Sequence, residues 1–171
     1  MNAFPGDGPE HVVQVDEGFV TGELGNIAVT IWRESVTRPR VDAQAVALSS
    51  VASRSPGACG YLCIIEPSCS PPDAEMRRAL AAMLREQGPR LSVLAGVVEG
   101  DGFRAAATRT VLSALGLLAG SPHVKNNFYA SVAQATPCFV RSGHFGALTG
   151  FCASIERLRA RMPPSARSPL G

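Results

Sequence analysis

Residues 26–32, NIAVTIW, alternate along the chain: Ile27, Val29 and Ile31 fall on one side and Ala28, Thr30 and Trp32 on the other. A period of two residues predicts a β-strand. A second short strand is predicted over residues 11–15, HVVQV, with Gly18, Gly22 and Gly25 punctuating the stretch between. These two strands are expected to pair as a hairpin.

The period then becomes helical. Thr37 and Pro39 supply a helix start, Val41, Ala45, Leu48 and Ala52 recur on one face, and the Ser-Pro-Gly of residues 55–57 ends it. YLCII (61–65) and LSVLAGVV (91–98) are continuous apolar runs, as in strands buried on both faces. Between them Met76, Leu80, Met83, Leu84 and Gln87 trace one helical stripe, supported by the Asp73–Arg77 pair and closed by Gly88-Pro89. A mostly apolar helix is predicted over 103–119, with Phe103, Ala107, Val111, Ala114 and Leu118 as its row. Residues 124–129, VKNNFY, suit an edge strand, and a helical turn over 131–135 is limited by Pro137. A last amphipathic helix over 145–162 carries Leu148, Phe151, Cys152, Ile155 and Leu158 on one stripe. Alternating strands and helices predict an α/β fold with right-handed crossovers. The expected fold is a mixed, mostly parallel five-stranded sheet with crossover helices and an added C-terminal helix. Its organisation is a flexible tail (1–10), an α/β domain (11–140), the helix (141–162) and a second flexible tail (163–171).

A leading hairpin followed by three β-α turns resembles the STAS, or SpoIIAA-like, domain, a family that includes bacterial anti-sigma-factor antagonists and the cytoplasmic tails of sulfate transporters. The resemblance covers about residues 11–140 and rests on the order and length of the elements. It implies strands in sequential order, helices mostly on one face, and a role in protein–protein regulation; some members bind nucleotides or other small ligands. In antagonist members a phosphorylatable serine sits where the loop after the third strand enters the second helix. That place is EPSCSPPDAE here, and Ser70 is the nearest positional match, without the family's Asp-Ser-Ser-Gly stretch and with two prolines following.

The net charge of +2 argues against nucleic acid or an anionic membrane as partner. The longest apolar stretch, near 105–120, is interrupted by Arg109 and is too short to span a bilayer. The start MNAFPGDGPEH has no signal-peptide pattern, so a reducing cytoplasm and free thiols are expected for the five cysteines. No CxxC pair occurs and the three histidines are scattered, so no metal and no cofactor are expected. His144 suits a solvated loop position as well as a switch.

Candidate chemistry gathers in two loops. Ser68, Cys69 and Ser70 are the regulatory candidates. Ser70 with Asp73 fits a Ser-x-x-Asp capping box, with Pro71 at the first helical position. Cys69 is expected to be the most accessible thiol, Cys63 buried and inert. Gly100, Gly102, Arg104 and Arg109 are ligand-binding candidates: two glycines between strand and helix can form an anion nest, or serve backbone geometry alone. Glu66 and Glu99 stand at strand ends, where open α/β sheets place ligands. No catalytic set is assigned, since no GxSxG elbow occurs. Leu148, Phe151, Ile155 and Leu158 are interface candidates: their stripe is expected to cover the sheet's second face or to complete a homodimer.

The favoured function is a non-catalytic regulatory or protein-interaction module, its partner another protein or a second copy. The alternatives are an enzyme with its site at loops 66–72 and 99–104, and a small-ligand or nucleotide-binding sensor. A concave pocket with converging polar groups favours the alternatives, and an exposed apolar patch the module.

Overall fold

A computed structural model describes residues 10–56, 59–118, 127–142 and 148–164; for 103, 104, 114–118, 148 and 149 it describes the backbone alone. The expected tails at 1–9 and 165–171 lie outside the described residues, as do the loop around His144 and His123.

The alternation in NIAVTIW sorts the core. Ile27, Val29 and Ile31 enter one apolar cluster and Ala28 and Trp32 another, on opposite faces of one sheet. The sheet has six strands in sequential order: β1 (His11–Asp16), β2 (Phe19–Leu24), β3 (Ile27–Trp32), β4 (Cys59–Ile65), β5 (Leu91–Val98) and β6 (Phe128–Tyr129). The first three are antiparallel and the rest parallel. The fold class is therefore α/β with a mixed sheet, but of six strands and not five. The additional strand is β2, and it separates the two segments expected to form one hairpin. Its glycines do different work. Asp16 pairs with Phe19 and Leu24 with Ile27, so Gly18 and Gly25 each belong to a two-residue turn, and Gly25 has φ +58° as a primed hairpin turn requires. Gly22 sits inside the strand, where a Cβ would lie 2.7 Å from the His11 carbonyl oxygen.

Helices α1 (Arg38–Arg54), α2 (Ala74–Gln87) and α3 (Gly102–Leu118) cover the face of Trp32. Helices α4 (Val132–Arg141) and α5 (Leu148–Arg159) cover the other. On α1 the expected row of Val41, Ala45, Leu48 and Ala52 packs on the core, Ala45 only partly buried, and Gln44 and Val51 are buried beside it. On α3, Ala105 is buried and Ala107 exposed, which turns the inner face toward Thr108, Val111 and Leu112; the side chains of Phe103, Ala114 and Leu118 lie outside the description. Pro137 sits inside α4 and does not end it. Losing one backbone donor is outweighed by the burial of Val132, Ala135, Cys138 and Phe139 on that helix's inner face.

Phe151, Ile155 and Leu158 of α5 are fully buried in the same cluster as Leu24, Ile27 and Leu62. The Phe151 ring lies 5.3 Å from that of Phe139. These three side chains are thus used within the chain, over the sheet's second face, and offer no surface for a dimer. The Leu148 side chain lies outside the description. Two glycines in the central strands admit rings: a Cβ at Gly60 would meet Phe139 at 2.9 Å on one face, and a Cβ at Gly96 would meet Phe128 at 2.6 Å on the other.

Candidate functional site

The parallel strands bring Glu66 and Glu99 together at their carboxyl ends. Each continues the ladder by one residue, since Glu66 N–H donates to Trp32 O (2.8 Å) and Glu99 N–H to Ile65 O (2.9 Å). The two carboxylates do not face one another as a free pair. Arg159, on α5, lies between them: its Nη1 donates to Glu66 Oε1 at 2.6 Å, and its two terminal nitrogens grip Glu99 at 2.6 and 3.0 Å. Arg33 Nε donates to the second oxygen of Glu66 at 2.8 Å. Burial lowers the pKa of Arg159, but its hydrogen bonds to Glu99 and the charges of Glu99, Glu156 and Glu66 outweigh this and raise it, so the guanidinium stays charged. Two carboxylates and two guanidiniums neutralise one another. Both acids are occupied, and neither is placed as a free general base.

The loops 66–72 and 99–104 do converge. Glu66, Pro67, Cys69, Glu99, Gly100 and Asp101 line a crevice of about 80 Å³. Gly100 (φ +89°) and Gly102 (φ +83°) hold left-handed backbone, and a Cβ at Gly100 would lie 3.1 Å from Pro67. These glycines therefore answer to turn geometry and a close approach between the loops. Arg109 is drawn back to the sheet, 3.5 Å from the Val98 carbonyl oxygen. The Arg104 side chain lies outside the description.

The Ser-Cys-Ser loop is pinned. Ser68 Oγ donates to Arg33 O at 2.7 Å and the Cys69 thiol to Glu34 O at 2.8 Å. Cys69 is buried, not the most accessible thiol, because it is drawn under the chain that leaves β3. Ser70 is exposed and does not cap α2. The cap is Asp73, which accepts from Met76 N–H at 2.8 Å; the two prolines hold the chain extended for three more residues, and the helix starts at Ala74.

A second cavity lies behind this loop, between the sheet and helices α1–α3, with a volume of about 70 Å³. Its floor is Trp32, Tyr61, Cys63 and Leu94 from three adjacent strands. Leu80 and Met83 of α2 and Val111 and Leu112 of α3 form the walls, and Phe128 stands against Gly96 at one end. Ser70, Pro71 and Pro72 form part of its rim. Among the described residues, every lining side chain is uncharged. Cys63 sits in a central strand yet is only half-buried, because the surface it keeps faces this cavity.

The polar part of the lining is organised. Gln44 Nε2 donates to the Tyr61 hydroxyl in a short contact. Beside it Thr21 Oγ1 and Thr30 Oγ1 share a hydrogen bond of 3.0 Å. Burial raises the Tyr61 pKa well above the phenol range and pushes the Cys63 thiol up to about 11, so both are protonated and neutral at pH 7. Gln44 is 2% exposed, and its Oε1 meets no donor. None of Gln44, Tyr61, Cys63 or Trp32 was a candidate from the sequence. The available signal was a glutamine on an apolar helical row and a hydroxyl and thiol on one side of YLCII.

Among the described residues the exposed large apolar side chains are Val15 and Val46, on an edge strand and on the outside of α1. No group of three or more His, Cys, Asp or Glu among those residues is close enough to hold a metal. No described helix is long and apolar enough to cross a membrane. The fold is α/β with a mixed sheet, and its cavity is lined, among the described residues, by uncharged side chains. No protein-family model matches the chain, and neither curated proteins nor solved structures give a match.

Proposed function

We propose that the chain is a non-catalytic regulatory module of STAS-like design that works as a small-ligand sensor. The observation that carries this reading is the cavity under α1–α3, apolar on most sides, with Gln44, Tyr61 and Cys63 converging on it. The criterion separating a sensor from an interaction module is such a pocket against an exposed apolar patch, and Val15 and Val46 are two separate residues. The enzyme reading loses support because Glu66 and Glu99 are held by Arg159 and Arg33. The sequential strand order and the placement of α1–α3 on one face agree with a STAS-like scaffold. A ligand seated beside the Ser70–Pro72 rim would be sensed there, so any protein partner would read that loop.

Trp32 is the only tryptophan and lines the cavity, so it reports occupancy. Titration with toluene should change its emission saturably and slow the labelling of Cys63. In Leu112→Trp, which fills the space with a larger ring, Cys63 should be shielded at the outset and toluene should have no further effect on its labelling. Absence of any saturable response in the wild-type protein, or undiminished protection of Cys63 by toluene in Leu112→Trp, refutes the reading.

A further inference from the structure

We infer that the ligand of this cavity is an uncharged molecule with an apolar body and one hydrogen-bond donor, and that the donor is received by Gln44 Oε1. The inference rests on the sensor reading above and specifies the ligand's class. Charge is excluded first. No lining side chain among the described residues is charged, and an ion taken from water would find no partner among them. The polar groups at the floor are also neutral, since burial keeps both the Tyr61 hydroxyl and the Cys63 thiol protonated.

The polarity of the missing partner follows from the Gln44 amide. Its Nε2 is committed to the Tyr61 hydroxyl, which leaves Oε1 as a buried acceptor with nothing donating to it. Buried polar atoms in folded proteins are normally satisfied, and an unsatisfied one marks a place where something is to be supplied. The neighbouring hydroxyls are engaged: Thr21 Oγ1 lies within hydrogen-bond distance of both Val29 O and Thr30 Oγ1. A ligand N–H or O–H complements the orphan oxygen, and a ligand bearing only an acceptor does not. The rest of the surface, from Leu80 and Met83 to Val111 and Leu112, rewards an apolar body. The volume of about 70 Å³ restricts that body to a small ring or a short chain, unless part of it emerges at the Ser70–Pro72 rim. Phenol-like, pyrrole-like and short primary-alcohol or amide ligands meet all three conditions.

Phenol and fluorobenzene test this, because they have nearly the same shape and differ in the donor. Binding is measured for the full chain by ligand-observed NMR and by protection of Cys63 from labelling. Phenol should bind about fivefold tighter or more, the factor corresponding to one net hydrogen bond of about 1 kcal/mol. Gln44→Met, of similar volume and without the acceptor, should bring the two affinities together by weakening phenol. Equal binding of both compounds to the wild-type protein would overturn the donor assignment while leaving the sensor reading standing. A phenol preference that persists in Gln44→Met would remove Gln44 as the acceptor. Binding of neither compound, with toluene also inert, would defeat the sensor reading and this inference together.

Discussion

Towards α4 and α5 the strands present Val20, Leu24, Ile27, Val29, Ile31, Leu62, Ile64, Ala95 and Val97, each with no measurable exposure. Towards α1–α3 the same strands present Thr21, Thr30, Tyr61 and Cys63 among their apolar neighbours, and a cavity remains. The strands are shared, so the difference comes only from which residue of each alternating pair faces which layer. A filled, wholly apolar face supplies stability; the polar, incompletely filled face gives up some of it and gains a place for a ligand.

The sharpest way to break this comparison is Phe151→Asp. It removes a fully buried ring from the filled face and places a carboxylate there without a partner. Loss of the ring alone is worth about 3–5 kcal/mol, and the charge adds to it. We expect no cooperative unfolding transition by circular dichroism. A folded, stable variant would mean that the α5 face is not the stabilising one.

Next in size is Arg159→Met. Glu66 would keep only Arg33, and Glu99 would lose its bidentate partner. Breaking a buried pair from one side costs about 3–5 kcal/mol, and the partial exposure of Glu99 and Arg159 reduces this to about 2–3 kcal/mol. Urea denaturation measures the loss. Arg159→Met combined with Glu66→Gln and Glu99→Gln should recover part of it; no recovery would mean that the side chain acts through packing and not charge.

A smaller effect belongs to the rim of the ligand face. Asp73→Ala should cost about 1 kcal/mol by uncapping α2, whereas Ser70→Ala should be close to neutral. Equal costs for the two substitutions would restore the capping-box assignment.

The smallest effect is a pH dependence. Folding raises the Cys63 thiol to about 11, above its value in the unfolded chain. The folded state therefore binds the proton more tightly, and this share of stability is complete below the ordinary thiol pKa, near 9. It is lost as pH rises from there through about 11. Tyr61, raised for the same reason of burial, acts in the same direction at higher pH. Cys63→Ala should flatten the decline between pH 9 and 11 in thermal melts; an unchanged slope would show that the thiol stays solvated.

Much of this architecture is legible in the chain, and the misses share a physical cause. The stripe on α2 is strong because that helix has one buried and one exposed side, and the period of two in residues 26–32 is visible because small and polar Ala28 and Thr30 alternate with Ile27, Val29 and Ile31, although both faces are buried. β2 is hidden because its glycines look like punctuation. Two of them are turns, and the third is a place where only hydrogen fits against the His11 carbonyl. Ser70 and Asp73 both satisfy the composition of a cap, and the choice depends on how far Pro71 and Pro72 keep the chain extended. Pro137 reads as a stop, yet packing of the α4 inner face outweighs one lost donor. The carboxylates Glu66 and Glu99 are visible, but Arg159 stands 60 residues beyond the nearer of them, and no local pattern announces that meeting. The cavity is least legible. It arises from space left between side chains that are individually ordinary core residues.

The strand order has a consequence for how the chain acquires its structure. Each strand lies beside the one before it, so β1 to β6 can be added in the sequence in which they are synthesised. The covering of the face that holds Leu24, Ile27 and Leu62 waits for residues 132–162. Until those residues emerge, a broad apolar sheet surface stands open, and closing it joins segments as far apart as Glu10 and Arg157. Such long-range closure is slow and exposes the nascent chain to self-association. A ribosome that pauses before residue 148 would thus hold the protein in its most aggregation-prone form, and a chaperone's demand on this chain would concentrate in that interval.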